Sequence, residues 1–371
     1  MRKLPDTPVR WGILGAARIA QAKVIPGLLA NPDCAVQAIG ARDLDRAQAM
    51  AQQFGIPRAY GSYDEVIADP AVDAVYIALP NHLHLPWIRA AALNGKHVLC
   101  EKPLAMTAAE VRQLQDLPPQ VRISEAFMVR HQPRWHRLRE ILRSGQYGSP
   151  RTVHSLLSFF MNNPGDFRHT PAFGGGALYD LGCYTAMAAR FVFDAEPLRV
   201  MAVAELDRPD GVDMFTSALL DFGQGRQAAF TVSTAMASAQ TLQIVCDKGF
   251  IELPKAYVPA RDEDSFIQID TSASHDLSEL TRYAFEPLDQ YAYEVGHFAR
   301  VVRGEAPEEF GLADSLANAC VLDALFASMR SGQWEAVVSR AHEETPGHPP
   351  IFLTPAGGAG WAQPGPGGTQ S

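Results

Sequence analysis

Lys102 stands in Glu101-Lys102-Pro103, directly after the apolar run His97-Val98-Leu99-Cys100. Far earlier the chain carries Gly12-Ile13-Leu14-Gly15-Ala16-Ala17-Arg18-Ile19-Ala20. The earlier stretch reads as a strand entering a tight turn and then a helix, whose first amides suit a dinucleotide pyrophosphate. The later one sets an ammonium at the carboxyl end of a buried strand, where open α/β sheets converge on a ligand crevice. A third group, Asp180 and Tyr184, follows the triple glycine Gly174-Gly175-Gly176, and their spacing puts both on one face of a helix.

These residue types suit hydride chemistry. Oxidation of an alcohol carbon releases a hydroxyl proton as the carbonyl forms, so a base is required. A phenol with a pKa of about 10 is a poor base at neutral pH, but a neighbouring ammonium would stabilise the phenolate and lower that value. The expected division of labour is that Tyr184 exchanges the proton, Lys102 polarises the substrate oxygen, and Asp180 orients the hydroxyl and the lysine. Spacing alone also fits a plainer role, with Asp180 favouring a helix start and Tyr184 lining a core.

In the nucleotide turn Gly15 fills the first glycine position, while Ala17 and Ala20 replace the second and third. The end of the second strand reads Gly40-Ala41-Arg42-Asp43, with Arg46 one turn further. An acidic residue there would accept from the ribose hydroxyls of NAD. Small residues followed by arginine instead make room for a 2′-phosphate, which favours NADP, with NAD possible. Asp43 reads as the N-cap of the next helix.

The elements that must position these groups alternate in the first third. Strands are expected at Val9 to Leu14, Val36 to Gly40, Ala74 to Leu79, His97 to Cys100 and Val121 to Ser124. Helices lie between, with stops or caps at Gly55, Ser62, Gly95 and Thr107. That is a doubly wound parallel sheet, a Rossmann domain over 1–126. After an amphipathic helix from Pro133 to Arg143, longer runs at Arg151 to Met161, Leu198 to Glu205, Met214 to Phe222, Gln227 to Thr234 and Thr241 to Asp247 predict a second, α+β domain over 127–340. Its sheet is expected to be open and mostly antiparallel. Helical patterns return at Gln290 to Val302 and Ser315 to Met329, and the Gly- and Pro-rich stretch 341–371 reads as a disordered tail.

The 371 residues suffice for two ordinary domains, and a net charge of -9 gives little support for a nucleic-acid partner. No apolar run approaches the ~20 residues of a membrane helix, and no signal-type core precedes the first strand. A cytoplasmic protein without a membrane partner is the expectation. The five cysteines, Cys34, Cys100, Cys183, Cys246 and Cys320, lack C-x-x-C spacing, and no histidine, including His82, His131 and His169, has metal-site spacing. No metal is expected.

Ala-Leu-Pro-Asn-His-Leu-His from Ala78 and Asn-Gly-Lys-His-Val-Leu-Cys-Glu-Lys-Pro up to Pro103 resemble the glucose-fructose oxidoreductase, inositol dehydrogenase and rhizopine-catabolism (Gfo/Idh/MocA) family. The similarity continues through Glu125 to Pro133, Gly174 to Tyr184 and Tyr291 to Arg303. Within the family the chain is most similar to the branch of dimeric dihydrodiol dehydrogenase and xylose dehydrogenase. The resemblance implies that Lys102 is the catalytic lysine and that Leu79, Pro80, Asn81, His84 and Glu101 shape the cofactor pocket. Arg130 would lie near the cofactor, Arg168 near cofactor or substrate, and Phe160 near substrate. It further implies a small carbohydrate or diol as substrate, and a homodimer or homotetramer formed through the second sheet. The expected activity is NADP-dependent hydride transfer at a hydroxyl carbon of a cyclic polyol. The alternatives are a glycoside hydrolase that retains its NAD, or a dinucleotide-binding regulator without turnover.

Overall fold

The computed structural model describes residues 7–163, 165–208, 211–274 and 276–338. Six strands build the first sheet: β1 (Val9–Leu14), β2 (Cys34–Gly40), β3 (Arg58–Tyr60), β4 (Ala74–Ile77), β5 (His97–Glu101) and β6 (Ile123–Ala126). They lie in the order β3-β2-β1-β4-β5-β6, and every pair is parallel. Helices α1 (Ile25–Ala30), α2 (Leu44–Phe54), α3 (Tyr63–Ala68), α4 (His84–Leu93) and α5 (Ala108–Arg112) join them. Central strands covered on both faces must be apolar throughout, and β4, Ala-Val-Tyr-Ile, is wholly buried. Strand order reverses between β1 and β4, so a crevice opens beyond their carboxyl ends. Gly15, Leu79-Pro80 and Lys102 all lie on that edge.

Local chemistry fixes the helix ends. The Asp43 carboxylate accepts from Asp45 N at 3.0 Å and Arg46 N at 3.4 Å, so Asp43 caps α2, and Gly55 closes the helix at φ 67°. Thr107 caps α5 by accepting from Glu110 N at 3.2 Å. The capping box expected there differs by one residue, because the Glu110 carboxylate takes the Met106 amide rather than that of Thr107. Strand β6 starts at Ile123 and not at Val121, whose amide is spent in a turn on Pro118 O. The tripeptide of β3, with Arg58 exposed and Ala59 and Tyr60 half-buried, shows no alternation and gave no sequence signal.

The second sheet has nine strands: β7 (Pro150–Phe160), β8 (Arg199–Leu206), β9 (Asp213–Asp221), β10 (Gln227–Ser233), β11 (Ala235–Cys246), β12 (Phe250–Pro254), β13 (Ser265–Asp270), β14 (Leu280–Phe285) and β15 (Glu335–Ala336). Their order is β14-β13-β12-β11-β7-β10-β9-β8-β15, antiparallel except where β10 lies beside β7. The remaining helices are α6 (Pro133–Ser144), α7 (Cys183–Phe193), α8 (Gln290–Arg303) and α9 (Leu312–Ser331). One sheet face buries Phe230, Val232, Leu242, Ile244, Ile251 and Ile267. Helix α7 packs on β7, α9 on β8 and α6 on β13. Register places Val203, Leu219 and Val245 on the opposite face, where all three are exposed.

Helix α8 returns to the first sheet. Asn31 Nδ2 donates to Ala292 O at 2.9 Å, and the Trp11 and Phe298 rings lie 5.5 Å apart. Helix α9 corrects the sequence reading, since its 20 residues are long and apolar enough to cross a membrane by length and composition. The alanines that dilute its pattern hid it. Half of its most apolar window is buried, and Asn318 and Ser328 bond to Cys183 O and to Ala202 N, which is how a core helix behaves. All five cysteines are free and buried. The tail expected over 341–371 lies outside the described residues.

Candidate active site

Strand β5 ends at Glu101, and the next side chain, Lys102, meets the start of the α7 segment across the crevice. Its Nζ donates to Asp180 O at 2.6 Å and to Asp180 Oδ1 at 2.8 Å, with both side chains 12% exposed. Asp180 lies in a π-helical turn, Leu178–Gly182, that runs directly into α7. Its second oxygen pairs with Arg168 Nε at 2.9 Å, and Arg168 also holds Asp166 at 3.1 Å. One carboxylate thus sits between two cations. Burial pushes the Asp180 carboxyl up, but Lys102 and Arg168 outweigh it and hold the group at about 2. Burial likewise pushes the Lys102 ammonium down, and the Asp180 carboxylate more than offsets that, leaving it above its ordinary value.

Tyr184 is close by, but not as the spacing suggested. Its ring centre lies 4.9 Å from Lys102 Nζ, while its hydroxyl points to Met128 Sδ at 3.1 Å. The ring face meets the ammonium and the phenolic oxygen does not. The wide π turn between Asp180 and Tyr184 breaks the simple helical face they were expected to share. Burial, reinforced by the nearby Tyr291 and Glu101, pushes the phenol well above its ordinary value, which reverses the expected lowering by Lys102.

The supports beneath were partly unforeseen. Glu101 accepts from the Tyr76 hydroxyl and from Lys102 N at 3.3 Å, and Glu125 accepts from Leu104 N at 3.0 Å. Burial pushes the Glu101 carboxyl up and that of Glu125 to about 7. His84 is fully buried, with its ring nitrogens 2.8 Å from Pro103 O and Leu79 O, so it ties together the two loops that frame the crevice. Asn81 Nδ2 donates to Gly174 O at 2.7 Å and clamps the triple-glycine loop to the end of β4. Tyr76 looked like one more apolar strand residue. Glu125 stood inside a matched motif without an assigned task.

On the nucleotide side Gly15 adopts φ 108°, and a Cβ there would lie 2.7 Å from Ala78 O. That cradle admits a close-approaching ligand and no side chain. The helix beyond it begins at Arg18 and passes through a π stretch, Ala20–Val24, into α1, leaving Ala17 and Ile19 half-buried and Arg18 exposed. Arg46 spends one donor on Ala16 O at 2.9 Å, and Arg42 is exposed beside Tyr63. Arg130 is not presented to the crevice. Its buried guanidinium pairs with Asp314 and lies between the Phe127 and Phe310 rings, at 4.8 and 4.4 Å. Phe160 ends β7 with 66% of its surface exposed.

Residues 9–121 match the oxidoreductase family with an NAD-binding Rossmann fold, and residues 135–252 match the Gfo/Idh/MocA C-terminal domain. The chain belongs to the Gfo/Idh/MocA oxidoreductase family. The NADP-dependent D-xylose 1-dehydrogenase 2 of Haloferax volcanii is 37% identical to it, over 87% of this chain and 98% of that enzyme. The trans-1,2-dihydrobenzene-1,2-diol dehydrogenase of Mus musculus is 35% identical over 68% of this chain and 76% of its own. A 3-ketoreductase from Actinomadura kijaniata, solved with NADP and TDP-benzene, superposes with a TM-score of 0.79 at 30% identity, covering 86% of this chain and 98% of that one.

In this Gfo/Idh/MocA oxidoreductase the Lys102 ammonium has three N–H bonds, two of them directed at Asp180. The third can meet a carbonyl or hydroxyl oxygen in the crevice. Because the Asp180 carboxyl titrates at about 2, below its ordinary 3.8, its stabilising contribution is full above pH 3.8 and is lost as pH falls through 2. Asp180→Asn, which leaves the buried ammonium without its counter-charge, should cost about 3 kcal/mol at pH 7. Urea unfolding should show that gap closing between pH 4 and 2, and a gap constant over that span would contradict the pairing.

Proposed function

We propose that this chain is an NADP-dependent oxidoreductase that transfers a hydride between nicotinamide and a hydroxyl carbon of a cyclic polyol, either an aldopyranose or a trans-dihydrodiol. The observation that carries the reading is the Lys102 ammonium, locked by Asp180 at the crevice with one N–H unspent. When bound, the dinucleotide supplies or takes up the hydride. The amides around Gly15, Ala17, Arg18 and Ile19 would hold its pyrophosphate, and Arg42 and Arg46 its 2′-phosphate. Leu79, Pro80 and Asn81 would wall the crevice, with His84 and Glu101 bracing it from beneath.

Direction follows from protonation. An ammonium held above its ordinary pKa is a proton donor, so in reduction Lys102 polarises the carbonyl oxygen and gives it a proton. Oxidation requires the neutral amine and is favoured by alkaline pH. Tyr184, with its hydroxyl turned away, supports the ammonium with its ring face. Asp180 fixes the lysine, while Arg168 and Phe160 stand where a substrate ring enters. Arg130 braces the frame through Asp314. A ring-borne hydroxyl suits both the xylose and the dihydrodiol enzymes named above, and the arginines after β2 with no acid at that position support the phosphorylated dinucleotide.

Lys102→Ala should bind NADPH almost as tightly as the wild type, by fluorescence titration, while turnover on a panel of aldoses and dihydrodiols falls about 10²–10⁴-fold. Near-wild-type turnover would remove the mechanism. Arg42→Glu should lower the ratio of kcat/KM for NADPH over NADH at least ~10-fold, because it replaces a phosphate partner by a like charge; an unchanged ratio rules out that role. The exposed apolar residues Val203, Leu219 and Val245 on the outer face of the second sheet also support a homodimer or homotetramer through it. Sedimentation should show the oligomer at micromolar concentration, and a monomer there excludes it.

A further inference from the structure

Asp213 opens β9, in the second sheet, and is almost completely buried. Its Oδ2 accepts from Leu178 N and from Thr216 Oγ1, both at 2.7 Å. Leu178 is the first residue of the π turn that carries Asp180, so its amide has no partner within the helix and needs an outside acceptor. The other oxygen, Oδ1, closes against Gly176, which adopts φ 110°, and a Cβ at that position would overlap Oδ1. Gly176 N donates to Arg168 O at 3.0 Å, and Gly176 O accepts from Asp180 N at 3.1 Å. Asp213 therefore bonds the turn directly at Leu178 and closes sterically on Gly176, whose own backbone bonds reach Arg168 and Asp180.

We propose that Asp213 is a positioning residue for proton transfer: by gripping Leu178 and Gly176 from the second sheet, it sets where the Asp180 carboxylate meets Lys102. The inference rests on the reading of Lys102 as the proton donor. Asp213 touches neither the lysine nor the open crevice, and its effect passes through two backbone segments. Burial pushes its carboxyl up to about 6, with Thr216, the Leu178 amide and its own backbone partly countering that, and Tyr179 the ionisable side chain in its field. At neutral pH it is an acceptor. A neutral amide of the same shape would also accept from Leu178 and Thr216 through its one oxygen. The role is thus geometric, and it separates an isosteric replacement from a truncation.

The groups facing Lys102 are Asp180, Cys183, Glu101, Arg168, His84 and the ring of Tyr184. If the Asp180 turn slips, the ammonium loses the carboxylate that keeps it protonated. Asp213→Ala should then lower kcat for reduction by on the order of 10- to 100-fold, the loss that a misplacement of about 1 Å brings. KM for NADPH should stay within about twofold, since the nucleotide turn is not involved. The kcat profile of the variant should begin to fall at a lower pH than that of the wild type, because its lysine has lost the carboxylate that holds its ammonium up. Asp213→Asn should stay within about threefold of wild type with an unmoved profile, since its oxygen keeps both donors. Gly176→Ala, which forces the Asp213 carboxylate aside from the opposite direction, should reproduce the alanine variant and serves where that variant fails to fold.

Wild-type kcat in Asp213→Ala overturns the proposal. So does a lowered kcat with an unmoved profile, or an Asp213→Asn enzyme as impaired as Asp213→Ala. Lys102→Ala run alongside separates the two levels. An active lysine variant removes the underlying reading, whereas an inactive one beside a wild-type-like Asp213→Ala removes this inference alone.

Discussion

The whole arrangement depends on a buried ion pair between Lys102, at the end of a strand in one sheet, and Asp180, on a helix packed against the other. Neither charge would be tolerated alone at that depth. Removing an ammonium from water is repaid only if a carboxylate and further acceptors meet it, and here Asp180 offers both its carboxylate and its carbonyl. Arg168 on the far oxygen keeps the carboxylate ionised. The pair therefore ties the two sheets together and fixes the protonation state of the lysine. It also leaves the ammonium one N–H without a hydrogen-bond acceptor among the described residues.

Most of this was legible in the sequence because strong local rules agreed with the tertiary structure. Alternating short apolar runs and capped helices announced the parallel sheet, and the strand ends located the crevice. Asp43, Ser62 and Thr107 cap the helices they precede. Short strands failed for the complementary reason. Arg58–Tyr60 is three residues long and only half-buried at Ala59 and Tyr60, so its pairing with β2 is decided by neighbours and leaves no pattern in the residues themselves.

The site was legible in its members and not in their contacts. Lys102, Asp180 and Tyr184 come together, yet periodicity alone assumes a regular helix, and the helix carrying two of them begins with a wide turn. That single irregularity converts a presumed phenol-to-ammonium contact into a ring-face contact, and burial then drives the phenol the other way. Arg130 shows a related limit. The resemblance set it near the cofactor, whereas its guanidinium is claimed by Asp314 and two aromatic rings. Buried braces such as Glu125 and Asp213 are invisible until the amides they accept from are known.

The two π stretches, Ala20–Val24 and Leu178–Gly182, both lie in helices that begin at the crevice. An α turn directs each carbonyl at the amide four residues ahead, whereas a π turn reaches five ahead and leaves more room around its carbonyls. In the second stretch that room is used: Cys183 N bonds to Leu178 O, and Asp180 O takes the Lys102 ammonium at 2.6 Å. A regular helix at this point would compete for the same oxygen with its own backbone. The wide turn is therefore part of how the lysine is held, and the glycines before it, pressed against Asn81 on one side and Asp213 on the other, are what allow the chain to enter it at that angle.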